Sequence, residues 1–445
     1  MYGVYIVTRL LIANDTPNTY VANNFETSAE WALWAMLILW HMKDDDIVVL
    51  PQKPDHGHLE YVAKLTGTRL ESLRIIVAPP GMALSLSADR ITNKELLKSI
   101  KDSLGGRSLQ AVVPIALDGA VAHLAHSLGV KNSLPGADFA FQGGGILANS
   151  KAIFRAIAAG ASVPTPPGFV LSDMQQAEIA LCEMLLVQGV PVIVKKDFAQ
   201  GCRGNEVLSP TEGTLQNGAR RAFVLPDIDS IRTYLSENWL WLTNNGRNSF
   251  VVERYFPGSI AIFAEFNLSD QGVNFSGLGE MLAVPVADAE VIPPIGLSPH
   301  AIALIVDGGR RLSEAMHKIG YRGNLSADAI VSADGKVFFS EYNGRITGST
   351  HIYSAIGERI VGKNWVQSRI LVERRGWIAP SFEGAVRMLN DSGLAYNHET
   401  KTGFILSGTF IKTLRVISYT VIAKNLEEAV FLEKKLHEIS PRSSS

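Results

Sequence analysis

The segment LSADAIVSADGKVFFSEYNGR, residues 325–345, constrains this chain more than any other. Asp334-Gly335 lies between two runs of strand-forming residues, the signature of a two-residue hairpin turn. With those two residues as the turn, Asp328 falls opposite Glu341 and Ser326 opposite Asn343. Side chains alternate faces along a strand, so Asp328, Glu341 and Asn343 share one face, which Val337 and Phe339 continue as an apolar surface. Two carboxylates with Cβ atoms about 5 Å apart repel by roughly 3 kcal/mol at an effective dielectric near 20, so a positive group belongs between them. Hard oxygen donors without His or Cys suit Mg2+. Alone, such a hairpin also reads as an edge with solvated acids, and Arg345 as an ordinary ion-pair partner. Beside an apolar face, the Arg345 guanidinium fork suits a phosphate or acyl phosphate.

A dication held this way is completed by phosphates. Lys195 ends the strand-like run PVIVKK (191–196), and the polar loop DFAQGCRGN (197–205) follows. Gly201 and Gly204 let backbone N–H groups of that loop approach phosphate oxygens, although a lysine at a strand end is also commonly just solvated. No GxxxxGK[ST] occurs, which excludes a P-loop, and no GxGxxG opens a helix, which leaves a dinucleotide site without support.

At roughly 150 residues per domain, 445 residues make about three domains. Up to residue 145, the runs IVVL (47–50), RIIV (74–77) and AVVPI (111–115) alternate with helical stretches near 58–65, 93–104 and 118–128, which predicts a Rossmann-like, doubly wound parallel sheet. A second unit, 146–375, follows the loop Gly143-Gly144-Gly145. It starts with a helix over 151–159 capped by Asn149, includes the strand-like run SFVVERYF (249–256), and has a helix from Ser298-Pro299 to Gly320. Residues 376–445 read as a small α+β unit: a helix over 382–389, strands over 404–411 and 413–423, a closing helix capped by Asn425 and Glu428, and a frayed tail, 443–445.

Composition narrows the function class. Lys plus Arg total 41 and Asp plus Glu 43, so no global field draws nucleic acid or an anionic membrane. Cys182 and Cys202 are too few for a disulfide framework and suit a reducing, cytoplasmic compartment. The apolar stretch from Trp31 to Met42 falls short of the about 20 residues a spanning helix needs, so a buried helix is expected, and MYGVYIVTRLL reads as a first strand rather than a secretory signal. Asp44-Asp45-Asp46 reads as a solvated turn. His56 and His58 fit a solvated loop or the wall of a substrate pocket, and Arg203 beside Cys202 would lower the thiol pKa.

The order Asn149-Ser150-Lys151 at a helix start, PVIVKK with its loop, VVERYFPG (251–258), Asp328, then EYNGRITG (341–348) resembles the ATP-grasp superfamily over about residues 146–370. The resemblance implies an α/β and α+β chain: a Rossmann-like pre-ATP-grasp domain (1–145), a two-subdomain ATP-grasp core (146–375) and a C-terminal α+β lid (376–445). It implies that Lys151 and Lys195 contact ATP phosphates under the loop Gln200, Gly201 to Gly204, that Glu253 binds the adenine amino group, and that the backbone of Arg254 and Phe256 pairs with the ring edge. Asp328, Glu341 and Asn343 would hold Mg2+, Arg345 would steady the transferred phosphoryl group, and the backbone near Gly348 would polarise the acyl oxygen. The loop QGCRGN has fewer Gly and Ser residues than the family's usual run, and no ribose-binding glutamate stands near Ser259 or Ile260.

Within the superfamily the chain is most similar to amino-acid and peptide ligases of natural-product pathways, the pheganomycin type above all. The activity implied is activation of a small-molecule carboxylate as an acyl phosphate and its transfer to an amine or peptide, by a cytoplasmic homodimer. A kinase on the same fold and a non-catalytic ATP-binding module are the alternatives.

Overall fold

The computed structural model describes residues 8–14, 31–214, 216–283 and 287–442. Most of the expected first strand and the tail 443–445 lie outside them. Among the described residues the strands form three sheets.

The first sheet is β1 (Thr8–Ile12), β2 (Ile47–Leu50), β3 (Arg74–Val77) and β4 (Leu109–Pro114), parallel, in the order β3-β2-β1-β4. β1 and β2 are buried along almost their whole length, as strands covered on both faces must be. Helices His56–Thr66, Lys94–Leu104 and Gly119–Ser127 start where Asp55, Asn93 and Asp118 accept a backbone N–H from the first turn. The Trp31–Met42 stretch is helical and mostly buried, and Trp40 Nε1 donates to the Ser407 carbonyl at 2.8 Å. The three aspartates do form a turn, but Asp46 is fully buried against Arg9 (Nε to Oδ1, 3.0 Å) instead of solvated. Arg9 comes from a strand that the composition of the turn does not reveal.

The second sheet is β5 (Gly168–Leu171), β6 (Val192–Lys196), β7 (Asn205–Ser209), β8 (Arg221–Val224) and β9 (Phe250–Arg254), ordered β5-β9-β6-β7-β8. Its core draws only on residues between Leu171 and Phe250 or Val252, so this unit is packed on its own account. The third sheet holds β10 (Ile260–Ser269), β11 (Gly272–Ala283), β12 (Ala287–Ile292), β13 (Gly323–Val331), β14 (Val337–Asn343), β15 (Ile370–Ile378), β16 (Gly403–Ile405) and β17 (Val416–Ala423), ordered β14-β13-β10-β11-β12-β15-β17-β16. The expected boundary at residue 375 falls inside β15, which pairs with both β12 and β17, so the C-terminal α+β unit extends the same sheet. One apolar cluster joins Leu11, Trp40 and Ile115 to Ile346, Leu371 and Ile422, and so welds the first domain to this sheet.

Three local expectations change. Gly144–Leu147 is a short helix, not a loop. Ser150, not Asn149, caps the helix Lys151–Gly160: Ser150 Oγ accepts from Ile153 N at 3.1 Å. The turn after β13 has three residues, Ala333 to Gly335, because Gly335 N donates to the Ser332 carbonyl and Ser332 N to the Lys336 carbonyl, with Gly335 at φ +80°. This shifts the pairing by one, so that Val331 meets Val337 and Ala329 meets Phe339. A bulge at Ser340 shifts it back, restoring Asp328 opposite Glu341 and Ser326 opposite Asn343. Val337 and Phe339 therefore leave the acids' face and pack under the helix Pro299–Lys318, while Phe338 takes the acids' side.

Candidate active site

The site lies between the second and third sheets, beside the end of β4. Ile346 N donates to the Ile115 carbonyl and Gly344 N to the Ala148 carbonyl, both at 2.8 Å, so the segment after β14 is stitched to the edge of the parallel sheet. Ligand crevices of doubly wound sheets form at such strand ends. Phe338 of β14 stacks on Phe256, just past β9, with ring centroids 4.9 Å apart, and brings the two antiparallel sheets together.

On the third sheet, Asp328 Oδ1 accepts from Ser326 Oγ at 2.7 Å and Oδ2 from Asn343 Nδ2 at 2.9 Å. Asn343 Oδ1 accepts from Arg345 Nη1, which also donates to Asn149 Oδ1 at 3.2 Å. The Asn149 amide in turn donates to the Gly145 carbonyl at 3.1 Å. Burial, then the charge of Glu341, pushes the Asp328 carboxyl up to about 8. Burial also works to raise Glu341, but the ammonium of Lys151, then Lys195 and Arg345, holds it below its ordinary value. Lys151 Nζ stands 2.7 Å from Glu341 Oε2 and donates to the Ala199 carbonyl at 2.9 Å.

On the second sheet, Glu253 is buried between two cations: Lys195 Nζ on Oε1, and Arg155 Nη1 at 3.1 Å from Oε2. The Arg254 N–H is given to the Pro167 carbonyl at 2.8 Å, so it is not available to a ring edge. The loop between β6 and β7 covers these groups. Asp197 Oδ1 accepts from Ser150 Oγ (2.8 Å) and Ala152 N (2.9 Å), which pins the start of the loop to the helix that carries Lys151. Cys202 in this loop has its thiol pushed up to about 11 by burial and then by Glu341; the expected lowering by Arg203 does not occur.

Residues 35–130 match the family described as Pre ATP-grasp domain, and residues 384–436 the family described as PGM1 C-terminal domain. No curated protein matches the chain. Among solved structures it is similar to the N5-carboxyaminoimidazole synthetase from Staphylococcus aureus complexed with ADP, at 13% identity and a TM-score of 0.58, covering 97% of each chain. It is similar to the biotin carboxylase domain dimer of the Hydrogenobacter thermophilus 2-oxoglutarate carboxylase, in complex with MgADP, ADP and bicarbonate, at 16% identity and a TM-score of 0.58, covering 97% of this chain and 89% of that one. It is also similar to the L-amino acid ligase from Bacillus licheniformis, at 10% identity and a TM-score of 0.53, covering 97% of each chain.

The chain has the ATP-grasp fold.

Within this fold the structure gathers Lys151, Lys195, Glu253, Asp328, Glu341, Asn343 and Arg345 around one cleft, with Gln200, Gly201 and Gly204 in the loop above it. Two buried donors there, Arg345 Nε and Gln200 Nε2, have no hydrogen-bond partner among the described residues, as suits groups meant for an anion. Among the described residues no three His, Cys, Asp or Glu side chains form a metal cluster. Two carboxylates and an amide oxygen are nonetheless the donor set of a Mg2+ that also takes phosphate oxygens and water, so the residues fit that ion.

Sequence reasoning missed Arg155, Asp197 and Glu265. Glu265 is fully buried in β10 and accepts from Thr347, Thr350 (2.8 Å) and Tyr353 (2.6 Å), which anchors the turn that carries Gly348. Only the register of β10 against Ser326 reveals it, and no local motif does. His56 is exposed and paired with Glu60, while His58 is buried against Phe382, so neither lies in a solvated loop with the other. Among the described residues no helix is long and apolar enough to cross a membrane.

Proposed function

We propose that this chain is an ATP-dependent carboxylate–amine ligase of the peptide-forming kind, most like the pheganomycin type, coupling an amino acid or its analogue to the amine of an amino acid or peptide. The observation that carries the reading is that one cleft gathers two sets, the cations Lys151, Lys195 and Arg345 and the oxygen donors Asp328, Glu341 and Asn343. Cations placed where phosphate charge moves, and oxygens suited to Mg2+, are what phosphoryl transfer needs. The likenesses to ADP- and MgADP-bound enzymes and to an L-amino acid ligase support it.

Asp328, Glu341 and Asn343 would hold Mg2+, which offsets the charge of the ATP phosphates when bound. Lys151 and Lys195 would contact those phosphates, with the loop Gln200 to Gly204 closing above them and Glu253 taking the adenine amino group beside the backbone of Phe256. The substrate carboxylate attacks the γ-phosphorus and ADP leaves. Arg345 steadies the transferred group, and the backbone at Gly348 polarises the acyl oxygen. A neutral amine then attacks the acyl carbon, releasing phosphate and forming the amide. Excluding water at this stage prevents hydrolysis of the acyl phosphate, a role that suits the loop over the cleft and the separately packed second sheet.

The test is release of phosphate from ATP by purified protein against a panel of acids with and without a panel of amines. Phosphate release that depends on both an acid and an amine, with an amide as product, supports the ligase. A phosphorylated product stable to hydroxylamine would mark a kinase instead.

A further inference from the structure

One face of the helix Lys151–Gly160 reaches both ends of the cleft. Lys151 and Arg155 are four residues apart, so they are neighbours on that face, about 6 Å apart along the axis. Lys151 meets Glu341 at the metal end, and Arg155 meets Glu253 at the base end, with Nη1 3.1 Å from Oε2. Arg155 has no part in the steps above. Its Nη2 donates to the Pro166 carbonyl at 3.0 Å and to the Gly168 carbonyl at 3.3 Å. Between these the Pro167 carbonyl accepts from Arg254 N, so residues 166–168 are fastened to the end of β9 that carries Glu253. Gly168 is the register partner of Glu253, and a Cβ there would fall 2.3 Å from the Val252 carbonyl, an approach that requires glycine. The Arg155 fork is thus fixed on tightly packed backbone, with its side chain 14% exposed.

Glu253 is 2% exposed, and a carboxylate buried this far stays ionised only while positive charge stands beside it. Ionised, it only accepts hydrogen bonds; protonated, it also donates one. The two forms read a purine differently. The ionised form takes an exocyclic amino group and repels a carbonyl at that position, whereas the protonated form takes either. Lys195 Nζ also lies on Glu253, at Oε1, but in the ATP complex it shares its charge with the phosphates. Arg155 is then the cation that stays fastened to Glu253.

We propose that Arg155 sets the base specificity of the nucleotide site, by keeping Glu253 a pure hydrogen-bond acceptor while nucleotide is bound. This rests on the reading of Glu253 as the partner of the adenine amino group. Arg155 acts through Glu253 and is a positioning residue.

The experiment measures binding to the full chain with Mg2+ by calorimetry, which needs neither the acid nor the amine. The probes are ADP and inosine diphosphate, in which a carbonyl, with a proton on the neighbouring ring nitrogen, replaces the amino group. The wild type should prefer ADP by about 100-fold or more. Arg155→Met should cut the preference to about tenfold, chiefly by relative gain of inosine diphosphate, the rest being kept by the Phe256 N–H that faces the ring N–H of inosine. Arg155→Lys retains the charge and should hold the ratio within about threefold of wild type while weakening both nucleotides alike, because an ammonium lacks the fork that spans both carbonyls. Arg155→Gln, neutral and still able to bond a carbonyl, takes the place of the Met variant if that does not fold. Equal losses of both nucleotides in the neutral variant, with the wild-type ratio intact, overturn the inference and reduce Arg155 to packing. A Lys variant that loses the ratio as fully as the neutral one also overturns it, since charge is then not the cause. Equal binding of the two nucleotides by the wild type overturns the reading of Glu253 itself, and binding of neither overturns the ATP site.

Discussion

Lys151 Nζ lies 2.7 Å from Glu341 Oε2, joining the first turn of a helix to the edge strand β14 across the cleft. The cation proposed for the ATP phosphates is thus also the one that most lowers the pKa of Glu341, the second carboxylate proposed for Mg2+, beside Asp328. Replacing Lys151 with Met removes both effects. The expected loss is about 100- to 1000-fold in kcat, measured as ADP release. A variant with near wild-type turnover would show that the pair is only structural.

Divalent metal is required on this account. Chelation should abolish ADP formation, and added Mg2+ should restore it. Glu341→Gln should stay at least about 100-fold down at any Mg2+ concentration. Full recovery of that variant at high Mg2+ would remove Glu341 from the ligand set.

Asn149 accepts from Arg345 Nη1 at 3.2 Å while its own amide is tied to the Gly145 carbonyl. Asn149→Ala leaves the guanidinium one hydrogen bond short, worth about 1.5–3 kcal/mol for a charged donor. Turnover should fall about tenfold or more, with KM for ATP little changed. An unaltered kcat would show that Arg345 needs no such support.

The hairpin shows how much was legible in the sequence. Asp334-Gly335 predicted the pairs Asp328 with Glu341 and Ser326 with Asn343, and both stand. The prediction succeeded through two offsets that cancel, a three-residue turn and the bulge at Ser340, and neither leaves a mark in the residue pattern. The faces of Val337 and Phe339 lie between the offsets and came out reversed. Strands β10 to β12, without clean alternation and with glycines through β11, were not read at all, and with them went Glu265. Its role depends on partners in β13 and the turn after β14, and long-range register is information a local pattern does not hold.

That correction is itself testable. Phe339 lies under the helix Pro299–Lys318, where a Cβ on Gly308 would come 2.3 Å from its ring. Gly308→Ala should cost about 1–3 kcal/mol by overpacking, seen as a lower denaturation midpoint. Adding Phe339→Leu should recover part of it. Were Phe339 on the acids' side, Gly308→Ala would be neutral.

His58 is buried against Phe382, and burial lowers its pKa from 6.5 to about 4. Unfolded, the imidazole takes up a proton near pH 6.5; folded, it does not until about pH 4. Stability is therefore unaffected by this group above 6.5 and falls with pH between 6.5 and 4, by up to about 1.4 kcal/mol per unit. Between pH 7 and 5 the wild type should lose ground to His58→Gln in thermal melts. A pH-independent difference in Tm would contradict this.

The acyl phosphate is the centre of the account, and isotope transfer tests it most directly. With an acid labelled with 18O in its carboxyl group, turnover with Mg-ATP and an amine should move one label per cycle into inorganic phosphate, with ADP as the other product. Unlabelled phosphate, or AMP and pyrophosphate, would contradict it.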